Sequence, residues 1–309
     1  MRSISIVSLM LLVALPAGGN AQNAPGNNQK TILVTGASTG IGRKIAERLA
    51  ANGYFVYAGA RKDVDLQSLG AIKNVQAVRL DVTKPADIVV AVATVIKGGR
   101  GLYGLVNNAG VVTIGPLVDT KAEEFELVMA VNVYGPYRMT RAFAPLIVAQ
   151  KGRIINIGSI SGILNETEAG AYQMSKHAIE TFTDTLAREL APAGVRVRVV
   201  EPGSYRSDIF KNEVERSGMG AQYAGEWSKL TEPDEVAAAV EMALSEPQSK
   251  RRYMVVPDQE QAEVTIKAQI EQLVQINEGQ RYTYDRNALI SMLDAELVKA
   301  RPRQTGVKP

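Results

Sequence analysis

Short, almost wholly apolar runs alternate along the chain with segments in which apolar residues return every three or four positions. The runs fall at 31–35, 54–58, 75–80, 102–107, 153–157 and 195–200. A strand covered by helices on both faces reads this way, because neither of its faces meets water. Ile41, Ile45, Ala46 and Leu49 share one face of a helix over 41–51, and helical spacing recurs over 85–96, 122–149 and 171–190. Strands alternating with helices predict an α/β fold with a doubly wound parallel sheet. Two regions depart from the alternation. Residues 205–230 have no clear period and contain Phe210, Met219, Tyr223 and Trp227; residues 257–298 read as two helices parted near 277–285. Leu289, Leu293 and Leu297 run along one side of the second helix, as expected of a packing or dimer-contact extension.

Ahead of the first strand, residues 4–15 form an apolar run behind Arg2, closed by Pro16 and followed by the small residues Gly19 and Ala21. A run of roughly a dozen residues is short for a membrane span and reads as a signal peptide over 1–21. The alternative is an uncleaved anchor holding the domain at a membrane. The expectation is thus an exported protein, with a flexible linker over 22–30, one domain over 31–256 and a helical C-terminal extension over 257–309.

Composition narrows the chemistry. Thirty-five basic residues against 32 acidic ones give a net charge of only +3. There is no aromatic-studded basic stripe, so nucleic acid is a poor partner. The absence of cysteine excludes disulfides and thiol nucleophiles, and His177 as the sole histidine removes multi-histidine metal sites. Ser, Tyr, Lys, carboxylates or an organic cofactor must carry any reaction.

The first strand runs into Thr35-Gly-Ala-Ser-Thr-Gly-Ile-Gly42, where a helix opens. Gly36 permits the sharp exit from the strand, Gly40 lets the backbone approach a pyrophosphate, and Gly42 lets the helix lie close to the sheet. Exposed amides at the helix start favour an anion there. The same stretch formally matches a hydrolase nucleophile elbow at Ser38, but the chain has no histidine in a triad context and no preceding strand–helix loop. The second strand ends at Arg61 with no carboxylate until Asp63. An acidic residue there would bind a ribose hydroxyl, whereas arginine suits a 2′-phosphate, so NADP(H) is expected, with Arg43 adding charge. A merely solvated Arg61 is the bland alternative.

Tyr172 and Lys176 lie one helical turn apart and project from one face. A free phenol is a poor acid–base catalyst at neutral pH, and a nearby ammonium favours its ionised form. Ser159 follows the strand at 153–157, where a parallel sheet presents its ligand crevice.

With these elements in order, the chain resembles the short-chain dehydrogenase/reductase family from Thr31 to about Val256. The matching residues are Thr35 to Gly42, Asp81, Asn107-Asn-Ala-Gly110, Asn132, Ser159, Tyr172, Lys176 and Pro202-Gly203. The resemblance implies a Rossmann-type single domain. It implies that Tyr172 is the general acid/base, that Ser159 positions the substrate oxygen, that Lys176 serves tyrosine and ribose, and that Asn132 supports a water beside Lys176. Cofactor contacts are implied for Gly36, Ser38, Gly40, Ile41, Gly42, Arg61, Asp81, Asn108, Tyr172, Lys176, Pro202 and Ser207, and a sheet-stabilising role for Asn107. The sequences 201–206 and 57–61 look like the 17β-hydroxysteroid and retinol dehydrogenase group, which implies an apolar alcohol or ketone, membrane proximity and a homo-oligomer. Ser207 replaces the family's usual threonine, and Gly158 replaces the serine often found before Ser159. A dinucleotide-binding sensor or scaffold without turnover is the alternative; it would need only the glycine turn and Arg61.

Overall fold

The computed structural model describes residues 29–246 and 250–300. Seven parallel strands make one sheet: β1 (Thr31–Val34), β2 (Phe55–Ala60), β3 (Val75–Arg79), β4 (Gly104–Asn107), β5 (Arg153–Ile157), β6 (Arg196–Pro202) and β7 (Arg252–Val255). Their order is β3-β2-β1-β4-β5-β6-β7. The helices are α1 (Gly40–Ala51), α2 (Asp63–Gly70), α3 (Pro85–Lys97), α4 (Ala122–Asn132), α5 (Tyr134–Ala149), α6 (Gly170–Leu190), α7 (Ile209–Ser217), α8 (Ala224–Trp227), α9 (Asp234–Ser245), α10 (Gln259–Asn277) and α11 (Arg286–Ala300).

The apolar stripes of these helices cover both faces. Ile45 and Leu49 of α1 join Val236, Val240 and Leu244 of α9 on one face; Ile88 and Val95 of α3 join Met139, Phe143 and Ile147 of α5 on the other. This is the doubly wound Rossmann-type sheet that the alternation predicts. The order in which strands are added reverses between β1 and β4, which are parallel hydrogen-bonded neighbours from Ile32 against Gly104 to Val34 against Val106. Such a switch point opens a crevice at the carboxyl ends of the strands.

The expected helix over 122–149 is two helices, broken at Val133. Pro136 has no N–H for the carbonyl of Asn132, and the Asn132 side chain bonds to the backbone of Val111 instead of lying along the helix. Three elements escape the apolar pattern. β7 follows Lys250 and Arg251, α2 begins Asp-Val-Asp, and α9 is rich in alanine. Leu293 and Leu297 of α11 are exposed, so the expected packing stripe makes no core within this chain.

The expected localisation is corrected. The signal peptide and anchor readings fall on residues outside those described, and among the described residues no helix is long and apolar enough to cross a membrane. A span needs about 20 consecutive apolar residues, whereas α6 and α10, the longest helices, are interrupted by charged and amide side chains.

Candidate active site

The turn after β1 is built by hydrogen bonds from β4. Thr35 N–H donates to the carbonyl of Val106 at 3.0 Å, and Thr35 Oγ1 accepts from the amides of Asn108 and Ala109, each at 3.0 Å. Asn108 Nδ2 donates to the carbonyls of Thr35 and Gly36. Its amide is therefore spent on shaping the turn. Gly36 and Gly40 have φ of +63° and +53°, where side chains are strained. At Gly42 a Cβ would lie 2.2 Å from the carbonyl oxygen of Gly36, so no other residue lets α1 approach this closely. No side chain caps α1 and no acidic residue occupies its first turn, which leaves its amides for an anion.

Arg61 follows β2 and is exposed. Among the described residues its guanidinium has no hydrogen bond or ion pair, since Arg79 donates only to its carbonyl. Asp63, the nearest carboxylate along the chain, is paired with Arg79. Asp81 is also occupied: its Oδ1 accepts from the N–H and hydroxyl of Thr83. Burial alone would raise Asp81, but these bonds and the charges of Arg61 and Lys84 hold it below the usual carboxylate range. Arg43 does not join Arg61. Its guanidinium donates to Glu47 and Ser68.

Ser159 follows β5, and its hydroxyl accepts from the N–H of Ser161 at 3.1 Å and donates to the carbonyl of Pro202 at 3.4 Å. Tyr172 enters from the first turn of α6 with part of its surface open. Burial pushes its phenol up to about 12, against the pull of the Ser159 hydroxyl facing it. Lys176, one turn on, is buried and donates from Nζ to the carbonyl of Ile157 at 2.9 Å. The ammonium lies 5.4 Å from the centre of the Tyr172 ring. Burial lowers Lys176 to about 8, partly offset by Glu180. The phenol is raised in this arrangement by its own burial, and the neighbouring ammonium is aimed at the carbonyl of Ile157 on β5.

Asn132 lies behind this group. Its Nδ2 donates to Ser175 Oγ at 2.9 Å and to the carbonyl of Val111, and its Oδ1 accepts from the N–H of Val111. It ties α4 to α6 without reaching the cavity wall. Asn107 donates to Asn156 Oδ1 at 2.9 Å and to Thr140, bracing β4 against β5. His177 Nδ1 meets the carbonyl of Gln173, away from the site.

One cavity of about 330 Å³ is lined by Gly36, Ser38, Gly40, Ile41, Gly42, Arg61, Asp81, Asn108, Ser159, Tyr172, Lys176, Pro202 and Ser207 together. Of the expected site residues only Asn132 is absent from its wall. The wall also includes Phe210, from the aperiodic region 205–230, and Leu164, Ile209, Gln261 and Val264, which the sequence did not single out. Gln261 and Val264 belong to α10, and Gln261 Oε1 accepts from the N–H of Ser204 at 2.7 Å. No motif marks them, since a helical extension has no period that says where it docks. Phe210 stacks on Trp227 at 4.4 Å between ring centres; the side chain of Tyr223 lies outside what is described.

α7, above the cavity, is fixed from below. Buried Glu213 accepts from Thr113 Oγ1 at 3.2 Å and Ser217 Oγ at 2.8 Å and pairs with Arg216, which donates to Glu124 and to the carbonyl of Val112. Glu213→Ala strands the Thr113 hydroxyl and the Ile114 amide, while Ser217 keeps the Glu213 backbone carbonyl and Arg216 keeps its other partners. A loss of roughly 1–3 kcal/mol is expected, with faster proteolytic cutting near α7. Thermal unfolding and timed proteolysis check this; unchanged cutting would mean that Glu213 does not hold the segment.

The family model for short chain dehydrogenases matches residues 30–218. The chain belongs to that family, whose members bind a nicotinamide dinucleotide and act on small molecules. It is 35% identical over 195 residues to the mitochondrial D-beta-hydroxybutyrate dehydrogenase of Mus musculus, covering 60% of this chain and 57% of that protein. To retinol dehydrogenase 5 of the same species it is 38% identical over 200 residues, covering 62% of each. The chain thus spans less than two thirds of these relatives. A solved short-chain dehydrogenase from Streptomyces avermitilis superposes with a TM-score of 0.69 at 30% identity, covering 83% of this chain and all of that one.

Proposed function

We propose that this protein is an NADP(H)-dependent oxidoreductase that interconverts an alcohol with a ketone or aldehyde on an apolar small molecule, using Tyr172 as general acid/base. The observation that carries this reading is the convergence of Ser159, Tyr172 and Lys176 with the glycine turn and Arg61 on a single cavity. A binding protein without turnover needs no such phenol, hydroxyl and ammonium together.

The cradle fits the cofactor. A Cβ at Gly36 or Gly40 would close the turn, at 2.8 Å from Ala109 and 2.9 Å from Ser207, and uncapped α1 offers its amides to a pyrophosphate. Arg61, whose guanidinium has no direct hydrogen bond or ion pair among the described residues, suits a 2′-phosphate. Pro202 and Ser207 line the same cavity, and the Ser207 hydroxyl would meet the carboxamide. When bound, the nicotinamide supplies or takes up the hydride. Ser159 would donate a hydrogen bond to the substrate oxygen. Tyr172 would give its proton to that oxygen in reduction and remove it in oxidation. Lys176, with its ammonium 5.4 Å from the ring centre, would favour the ionised phenol once the cofactor is bound and would hold the ribose. Leu164, Ile209, Phe210 and Val264 give the substrate end an apolar lining, in line with the retinol dehydrogenase among the relatives.

Fluorescence titration tests the cofactor reading directly: NADPH should bind more tightly than NADH. Equal affinities would remove the case for a phosphate at Arg61. The pH dependence follows from the phenol. Oxidation needs Tyr172 ionised and reduction needs it protonated, so with a phenol pushed upward by burial, alcohol oxidation should climb with pH. Ketone reduction should fall over the same range. Rate profiles in both directions between about pH 6 and 10 check the sign; parallel profiles would point to a different proton carrier.

A further inference from the structure

Behind Ser159 and Lys176 lies a buried pair of carboxyl groups, Glu180 and Glu201. Glu180 stands one turn beyond Lys176 on α6, at the spacing that puts both on one face. Glu201 stands on β6 immediately before Pro202. The two carboxyl groups converge on one guanidinium nitrogen, Arg252 Nε, which lies within 3.5 Å of an oxygen of each. Glycine at 158, next to Ser159, makes room for them: a Cβ there would lie 2.9 Å from Glu180 Oε1. The departure from serine at this position is therefore filled by a carboxyl group.

The surrounding charges do not balance two carboxylates. From β7, Arg252 Nε lies 3.1 Å from Glu180 Oε2 and 3.5 Å from Glu201 Oε1, but its Nη2 also bonds to Asp184 Oδ2 at 2.8 Å. Arg251 is taken up by Asp184 at 3.1 Å, and Lys250 acts on Glu201 only through its field. Lys176 is the remaining charge facing the pair from α6. Two like charges in contact cannot readily both ionise. Among the described residues, Glu180 Oε1 and Glu201 Oε1 are also buried with no hydrogen-bond donor of their own, which a single proton between the two groups would remedy. Burial raises both carboxyl groups above their ordinary range, and for Glu201 the charge of Glu180 adds to it.

We infer that Glu180 and Glu201 share one proton at neutral pH and carry a single negative charge that keeps Lys176 an ammonium, which makes Glu180 a positioning residue acting through Lys176. The work assigned to Lys176 rests on the function proposed above; the charge state of the carboxyl pair does not.

Two measurements on the whole protein test it without substrate. The infrared difference between wild type and E201Q at neutral pH should show the carbonyl stretch of one protonated carboxylic acid in the wild type alone. With lysine labelled at Cε with carbon-13, the resonance lost in K176R reports the titration of Lys176. E180Q should lower its midpoint by about one pH unit, and E180D should restore part of the shift. E201Q keeps the size and the hydrogen bond and fixes the charge on Glu180, so it should hold the midpoint, and it keeps the idea testable if E180Q does not fold. No protonated-acid band, or a Lys176 midpoint unmoved in E180Q and lowered in E201Q, would overturn the inference. A midpoint that moves in E180Q while the pH profile of NADPH binding stays fixed would sustain the carboxyl pair and count against the ribose contact of Lys176.

Discussion

Tyr172→Phe is expected to lower turnover by roughly 10²- to 10⁴-fold while leaving NADPH affinity nearly unchanged. The substitution keeps the ring beside Lys176 and removes only the hydroxyl, which on the proposed function exchanges a proton with the substrate oxygen. Folding should not suffer, because the phenol has no hydrogen bond that would leave a backbone partner stranded. Lys176→Ala should behave differently. It removes the donor to the carbonyl of Ile157 and the charge beside the phenol, so both affinity and turnover should fall. The pair of variants separates chemistry from binding. Stopped-flow turnover and fluorescence titration on the same preparations read the two effects, and a Tyr172→Phe enzyme with most of its activity would show that another group moves the proton.

The second large effect is expected at Arg61. Arg61→Asp removes a cation whose guanidinium makes no direct hydrogen bond or ion pair among the described residues and puts a carboxylate where the 2′-phosphate would sit. The ratio of NADPH to NADH affinity should drop on the order of 10- to 100-fold, the worth of one or two hydrogen bonds to a charged group. The two nearby arginines are already engaged. Arg43 is held by Glu47 and Ser68, and Arg79 by Asp63. Dissociation constants for both dinucleotides in wild type and variant decide it; an unchanged ratio would place the phosphate elsewhere or show that the protein does not select for it.

The sheet was legible because its strands are buried on both faces. Thr31, Ile32, Leu33 and Val34 are all buried, and a run this apolar does not suit a strand with one face in water. The glycine turn was legible for a related reason, since close backbone approach at Gly36 and Gly42 admits only one residue type. What the pattern could not carry were elements whose burial comes from distant partners. β7 owes its place to pairing with β6 and to Arg252 among Glu180, Asp184 and Glu201, and charged residues crowd its start. The break between α4 and α5 depends on where the Asn132 amide points, which Pro136 alone only suggests. Gln261 and Val264 reach the cavity because α10 docks on the turn after β6, a long-range fact that no local period encodes. Spacing placed Tyr172 and Lys176 on one face correctly, yet it could not tell that the lysine is buried and turned toward Ile157.

If the cavity turns over apolar carbonyl compounds, NADPH should be consumed only when such a compound is present. Mixing the purified protein with NADPH and a panel of apolar ketones and aldehydes, while following the nicotinamide absorbance band, tests this most directly. Oxidation of NADPH is expected with at least one member of the panel, and that signal should be lost in Tyr172→Phe. Tight NADPH binding with no turnover across the panel would contradict the proposed function and leave a dinucleotide-binding protein in its place.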